Sequence, residues 1–219
     1  MDGTLIDSEE LWLAAEIELM SKFGVVWTNE DQAICIGGPM KRVEHYLAQR
    51  AGNVRPPEYF GETLNSLMIE KFHSHVNYAP GAFNLLSELR SHKVPLALVT
   101  ASSRSIVNAA METIGKATFS VVISGDDVAL GKPNPEGYLK AAEALGVPIT
   151  ECIILEDSKV GITAAVASGA VVIGIAPGGA LFDSDEITQI QDLTNVTADR
   201  LAQIFHQRKG LHQRRGNKL

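Results

Sequence analysis

From about residue 94 the sequence alternates short apolar runs with segments of helical period, and this alternation restricts the fold more than anything else in the chain. The runs are 94–99 (Val-Pro-Leu-Ala-Leu-Val), 119–123 (Phe-Ser-Val-Val-Ile), 152–155 (Cys-Ile-Ile-Leu) and 171–175 (Val-Val-Ile-Gly-Ile). They are short, rich in β-branched residues and apolar on both alternations, as strands covered on two faces should be. Helical segments are expected between them at roughly 104–114, 136–145 and 159–168, with Gly115, Gly146 and Gly169 just past their ends, where a left-handed residue is wanted. Strand alternating with helix predicts a parallel, doubly wound α/β sheet.

The stretch from Ser8 to about Asn77 shows no strand pattern. Ser8 is placed to cap a helix over 9–23, and Thr28 or Asn29 a second one ended by Gly37-Gly38-Pro39. A third is expected over 40–51 and a fourth over 57–73, with Pro57 suited to a first turn. An all-helical insert therefore opens after Asp2-Gly3-Thr4-Leu5 and closes at the turn-forming Pro80-Gly81.

No apolar run approaches the roughly 20 residues of a membrane helix, and Asp2, Asp7, Glu9 and Glu10 stand where a secretory leader would be basic. Cys35 and Cys152 fall in apolar surroundings and build no disulfide framework, which with the acidic start favours a reducing cytoplasm. The formal net charge of −7 argues against nucleic-acid binding. Five of the 19 basic residues lie past residue 204 (Arg208, Lys209, Arg214, Arg215, Lys218) with no acidic one among them. That tail reads as a frayed, solvated end.

Four segments sit where strands are expected to end, which in parallel sheets is where ligands bind. They are Asp2-Gly3-Thr4, Thr100-Ala101-Ser102, Gly131-Lys132-Pro133 and Glu156-Asp157. Carboxylates gathered with a lysine and a hydroxyl are what Mg²⁺-assisted phosphoryl chemistry requires: hard oxygens hold the cation, and cationic and N–H donors neutralise phosphate oxygens. Each piece has a plainer reading. Thr100 and Ser102 also suit helix N-caps, Lys132 an exposed loop lysine, and Asp2-Gly3-Thr4 a turn. Glu156 and Asp157 are harder to dismiss, because adjacent carboxylates at the end of an apolar strand repel unless a cation or water relieves them.

In order and spacing these motifs resemble the haloacid dehalogenase superfamily, specifically phosphatases with a helical cap of the β-phosphoglucomutase-like kind. Asp2-Gly3-Thr4-Leu5-Ile6-Asp7-Ser8 is similar to the latter part of the family's Asp-x-Asp-Gly-Thr motif. Residues 98–103, 131–135 and 155–158 resemble its second, third and fourth motifs. The resemblance implies a Rossmann-like parallel-sheet core from 1–8 and 79–219, ending in the basic tail 206–219, with a helical cap over 9–78. It implies Asp2 as general acid and base, its backbone carbonyl also on Mg²⁺. Asp157 becomes the direct metal ligand, with Glu156 holding the ion directly or through water. Thr100 and the Ala101 amide would bind the phosphoryl group, and Lys132 would offset its charge. Lys41 and Arg42, in the loop and first turn at 37–42, would face the substrate from the cap. Large residues such as Trp12, Leu19, Tyr46, Phe60 and Leu64 are read as cap packing, and a metal site at His73 and His75 is not expected.

The implied activity is Mg²⁺-dependent hydrolysis of a small phosphorylated metabolite through an aspartyl phosphate, by a monomer or weak homodimer. A phosphosugar mutase and a non-catalytic phosphometabolite-binding protein are the alternatives. The departure from the family is at the start. Its nucleophile stands two positions before the acid/base, which here falls ahead of Met1, together with the strand that carries it. This chain alone is therefore expected to be inactive, with two neighbouring strand edges left bare.

Overall fold

The computed structural model describes residues 1–36, 39–74, 76–115, 117–179 and 185–216, without the side chains of 211–216. The first part of the chain is helical: α1 (Glu9–Ser21), α2 (Asn29–Cys35), α3 (Met40–Arg50) and α4 (Pro57–Ser74), followed by α5 (Ala82–Ser91). Strand and helix then alternate through β1 (Ala97–Val99), α6 (Arg104–Ile114), β2 (Val121–Ile123), α7 (Glu136–Leu145), β3 (Ile153–Glu156), α8 (Lys159–Ser168) and β4 (Val171–Ile175). The chain ends with β5 (Ile187–Ile190) and α9 (Ala198–Gly216).

Helix ends follow local chemistry. Thr28 caps α2 with a reciprocal box, its hydroxyl accepting from the Asp31 amide while the Asp31 carboxylate accepts from the Thr28 amide. Gly146 and Gly169 take the left-handed conformation beyond α7 and α8, whereas Gly115 ends α6 in a more extended one. Ser8 precedes α1 but makes no side-chain cap bond. Its hydroxyl is used elsewhere, as described below.

All strand pairs are parallel, yet the single sheet expected is divided in two. β1 pairs with β2, and β3, β4 and β5 form the other sheet in that order. Among the described residues no strand bridges β1 and β3. Side chains connect the two sheets instead, with Val99 of β1 packing against the buried cluster of Tyr138, Ile154, Ile162 and Val172. β4 is buried along its whole length, with α8 and α9 both packed on it. This is the two-faced coverage that its apolar run predicts. β5 escapes the pattern because it is an edge strand, reading Ile-Thr-Gln-Ile with Ile187 buried and its other residues half-buried.

The main hydrophobic cluster runs through both parts of the molecule. Leu19, Phe60, Leu64, Met68 and Phe72 of the early helices join Ile106, Val107 and Ile173 of the strand region, and α4 packs on α6 as well as on α1 and α3. Each fully buried side chain of this size stabilises the fold by roughly 1.5–3 kcal/mol. At Pro80-Gly81 the chain is clamped by the loop after β5. The Leu193 amide donates to the Pro80 carbonyl at 3.1 Å, and a Cβ on Gly81, at φ 82°, would lie 2.1 Å from the Leu193 carbonyl.

The basic tail corrects its expectation as a frayed end. The helix continues to Gly216, and Arg208 donates to the Thr188 hydroxyl at 3.0 Å and to the carbonyls of Asp185 and Ile187. Lys209 pairs with Glu151. Three backbone and hydroxyl acceptors on one guanidinium hold α9 against β5, so charge read as solvated is docked. The side chains of Arg214 and Arg215, and all of Lys218, lie outside the described residues. No helix among the described residues is long and apolar enough to cross a membrane, and Cys35 and Cys152 are free thiols.

Candidate functional site

Asp2 lies in a tight turn in which the amides of Leu5 and Ile6 both donate to the Met1 carbonyl, at 2.8 and 3.1 Å. Its carboxylate gathers three donors. Oδ1 accepts from Ser8 Oγ at 2.7 Å and from Trp12 Nε1 at 3.0 Å, and Oδ2 from Ser102 Oγ at 3.0 Å. Trp12, expected only to pack, thus places the polar end of its indole on the proposed acid/base. Ser8 forgoes the helix cap for the same carboxylate.

Ser102 reaches Asp2 because the chain turns sharply after β1. Thr100, buried at that strand end, accepts the Ser102 amide on its hydroxyl at 3.1 Å, a local turn that Ser and Thr side chains favour. Ala101 stands exposed at the turn, and the Gly125 amide fixes the loop from below by donating to the Ser102 carbonyl at 2.8 Å.

At the end of β3, Glu156 is buried and its carboxylate is fully engaged. One oxygen accepts from Lys132 Nζ and, at 2.7 Å, from the Tyr138 hydroxyl. The other accepts from the amides of Asp157 and Ser158 and from the Ser158 hydroxyl, at 3.1–3.2 Å. Burial opposes ionisation, but the Lys132 ammonium, the α-ammonium of Met1 and these donors outweigh it and hold Glu156 down to about 2. Lys132 is no exposed loop lysine: its ammonium lies 5.1 Å from the Tyr138 ring centroid. Glu156, expected to hold the metal directly or through water, has both oxygens engaged by protein donors at this strand end.

Asp157 differs. Thr4 Oγ1 donates to its Oδ1 at 2.6 Å, and its Oδ2 faces Gly3, where an added Cβ would sit 2.2 Å away. Only glycine, here at φ 69°, permits this approach of backbone to carboxylate. Burial first, and then the neighbouring Glu156 charge, push Asp157 above the ordinary carboxylate range. A buried carboxylate that resists ionisation beside a second one is a place where added positive charge is favoured.

Among the described residues no three His, Cys, Asp or Glu side chains converge as a ready-made ligand set. Asp2 turns its carboxylate to Ser8, Trp12 and Ser102, so a cation here would draw chiefly on Asp157 and on backbone or water oxygens. That donor set suits a hard ion such as Mg²⁺, which keeps several waters.

The structure therefore brings Asp2 against the Thr100–Ser102 turn, and Lys132, Glu156 and Asp157 together, with Gly3 and Thr4 joining the two groups. A cavity of about 310 Å³ adjoins Gly3 and Thr4, walled by Pro80, Ile175, Pro177 and Asp192. Among the described residues, Lys41 and Arg42 make no hydrogen bond or ion pair to this cluster. Arg42 Nη2 donates to the carbonyls of Ile34 and Ile36, at 2.6 and 3.4 Å, and so caps the end of α2. Lys41 is exposed in the first turn of α3. Gly37 and Gly38 lie outside the described residues, as does His75. His73 pairs with Glu112 at 3.3 Å. Sequence reasoning missed Trp12, Ser8 and Tyr138 as site neighbours. The four-residue spacing of Ser8 and Trp12, one turn of helix, was the available signal.

Parallel strands between helices, with acidic and hydroxyl residues collected at their carboxyl ends, define an α/β protein of the type that binds ligands at strand termini. The family model for haloacid dehalogenase-like hydrolases matches residues 1–175, and the chain belongs to that family. It is 33% identical over 201 residues to the validoxylamine A 7′-phosphate phosphatase of Streptomyces hygroscopicus subsp. limoneus, covering 90% of this chain and 92% of that protein. It is 35% identical over 182 residues to hexitol phosphatase A of Escherichia coli, covering 80% of each. The crystal structure of CbbY from Rhodobacter sphaeroides in complex with phosphate shares the fold, with TM-score 0.78 and 24% identity over 92% of this chain and 96% of that one.

Proposed function

We propose that this protein is a Mg²⁺-dependent phosphatase of a small phosphorylated metabolite, a sugar or polyol phosphate, acting through an aspartyl-phosphate intermediate. The observation that carries the reading is the meeting of a triply hydrogen-bonded Asp2 with Asp157, Glu156 and Lys132 across Gly3 and Thr4. Relatives named validoxylamine A 7′-phosphate phosphatase and hexitol phosphatase A support the substrate class.

In this reading Asp157 and the Asp2 carbonyl hold Mg²⁺, which supplies charge neutralisation of the phosphate oxygens. Thr100 Oγ1 and the Ala101 amide bind the phosphoryl group at the head of α6. Lys132, held in place by Glu156, presents positive charge to the same group. Asp2 delivers a proton to the departing oxygen and takes one from the hydrolytic water. The nucleophile is an aspartate two positions before Asp2, outside the 219 residues. Helices α1–α4, residues 9–78, form the cap that excludes water from the reaction. The protein works in the cytoplasm as a monomer or weak dimer.

The test measures phosphate release from a panel of sugar, polyol and nucleotide monophosphates, with and without Mg²⁺. It uses this chain and one extended upstream by an apolar strand ending in the aspartate. Mg²⁺-dependent turnover in the extended chain alone supports the reading. Equal rates in the two remove the upstream nucleophile, and no turnover in either removes the phosphatase.

A further inference from the structure

We propose that Trp12 is a positioning residue for Asp2: its indole N–H, with Ser8, pins Oδ1 of the carboxylate and leaves Oδ2 as the oxygen that carries the transferred proton. The inference rests on the phosphatase reading and deepens it by assigning the proton path to one atom.

The asymmetry of the donors carries the assignment. Oδ1 accepts from Ser8 at 2.7 Å and Trp12 at 3.0 Å, whereas Oδ2, among the described residues, accepts from Ser102 alone at 3.0 Å. An indole N–H has a proton to give and no lone pair to receive one, so the oxygen it faces stays an acceptor. A serine hydroxyl does both. When Oδ2 is protonated, Ser102 Oγ can turn and accept from it, and when Oδ2 is bare, Ser102 donates. Among the described residues Oδ1 thus has two donors and Oδ2 one, and that one belongs to the Thr100–Ser102 turn proposed to bind the phosphoryl group.

The step then balances on Oδ2. The P–O bond to the departing alkoxide breaks as the phosphoryl group passes to the aspartate nucleophile, and the Oδ2 proton goes to the leaving oxygen. The water that cleaves the aspartyl phosphate gives its proton back to the same oxygen, restoring nucleophile and acid. Trp12 lies on the same face of α1 as Ala15 and Leu19, which are buried in the main cluster, and packs against that cluster itself. The seating of that helix thus reaches the reacting carboxylate through a single indole.

Two measurements test this. In the chain as it stands there are two tryptophans, and both indoles donate to carboxylates, Trp12 to Asp2 and Trp27 to Glu16. In ¹H–¹⁵N spectra, Asp2→Ala should move the Trp12 indole proton upfield and leave that of Trp27 in place, the latter reporting that the helices remain folded. An unmoved Trp12 signal overturns the proposal. In the chain with the upstream aspartate, Trp12→Phe keeps the ring packing and removes the N–H. It should slow hydrolysis of a sugar phosphate, whose alkoxide needs protonation, by about 10–100-fold, a fraction of what a general acid supplies. Compared by kcat/KM, which reads formation of the aspartyl phosphate and not its hydrolysis, p-nitrophenyl phosphate, whose leaving group needs no proton, should slow by less than about threefold. Equal losses on the two substrates, or none, overturn the assignment. If the unsubstituted enzyme hydrolyses neither, the phosphatase reading fails, and the indole shift still decides whether Trp12 pins Asp2.

Discussion

Lys132 and Glu156 form a buried ion pair, the lysine side chain 15% and the glutamate 7% exposed, where a loop meets the end of β3, 24 residues further along the sequence. Neither is placed by its own secondary structure alone. Lys132 lies in the turn before α7, and Tyr138 on that helix lends a hydroxyl to the same carboxylate oxygen.

Removing the cation should expose how much depends on it. Lys132→Met leaves a buried carboxylate uncompensated, and urea unfolding at pH 7 should show a loss of about 3–5 kcal/mol. Adding Glu156→Gln should recover most of it. Glu156 is held below its ordinary value of 4.5, to about 2. Its contribution is therefore complete above about pH 4.5 and is lost as the pH falls toward 2. Acid titration of unfolding should show a shallower slope over that window in Glu156→Gln than in the parent.

Gly3→Ala should damage the site from the backbone. It strains a residue at φ 69° and drives a methyl to 2.2 Å from Asp157 Oδ2, at a cost of about 1–3 kcal/mol. The melting temperature should fall, and any stabilisation by Mg²⁺ should vanish with the displaced Asp157. An unchanged Mg²⁺ response would dissociate Gly3 from the metal.

Asp157→Asn should separate stability from binding. Burial and the Glu156 charge raise the folded-state value of Asp157, so ionisation opposes folding and the penalty grows as the pH rises through that value. Without metal at pH 7.5, the variant should melt about 2–4 °C higher, the shift expected for about 1 kcal/mol in a chain of this size. The parent should gain about 2.7 kcal/mol when Mg²⁺ is 100-fold above its dissociation constant. The variant should gain nothing. Scanning calorimetry with and without Mg²⁺ reads both effects.

Glu16 should make stability fall toward alkaline pH. It is buried with the Trp27 indole, at 2.9 Å, as its hydrogen-bond donor. Burial chiefly, aided by the Asp31 charge, pushes it up to about 7. The folded state thus holds the proton more tightly than the unfolded one. Stability from this group is complete below about pH 4.5, declines as the pH rises, and is lost above about 7. Glu16→Gln should match the parent near pH 4.5 and exceed it at pH 8 by on the order of 2–3 kcal/mol. Urea unfolding at the two pH values checks it.

Much of the fold was legible before any coordinates. Apolar runs and helical periods placed α6, α7, α8 and β4 because strand burial and helix capping act over a few residues, and Gly146 and Gly169 stop their helices by a local backbone preference. The motif residues Asp2, Thr100, Lys132, Glu156 and Asp157 were legible for the same reason, each sitting at the end of an apolar run or in a turn. β5 was not, since an edge strand needs only one apolar face.

By itself, then, the amino-acid sequence determined which segments become helix or strand and which polar residues fall at strand ends. Tertiary structure decided what those polar residues do. Thr4 meets Asp157 across 153 positions and Ser102 meets Asp2 across 100. Trp12 leaves pure packing to hold a carboxylate, Arg42 closes α2, and Arg208 turns a basic tail into a docked helix. Periodicity records only which face of an element is apolar. The partner of a buried hydrogen-bonding group is chosen by whichever distant element packing brings within about 3 Å.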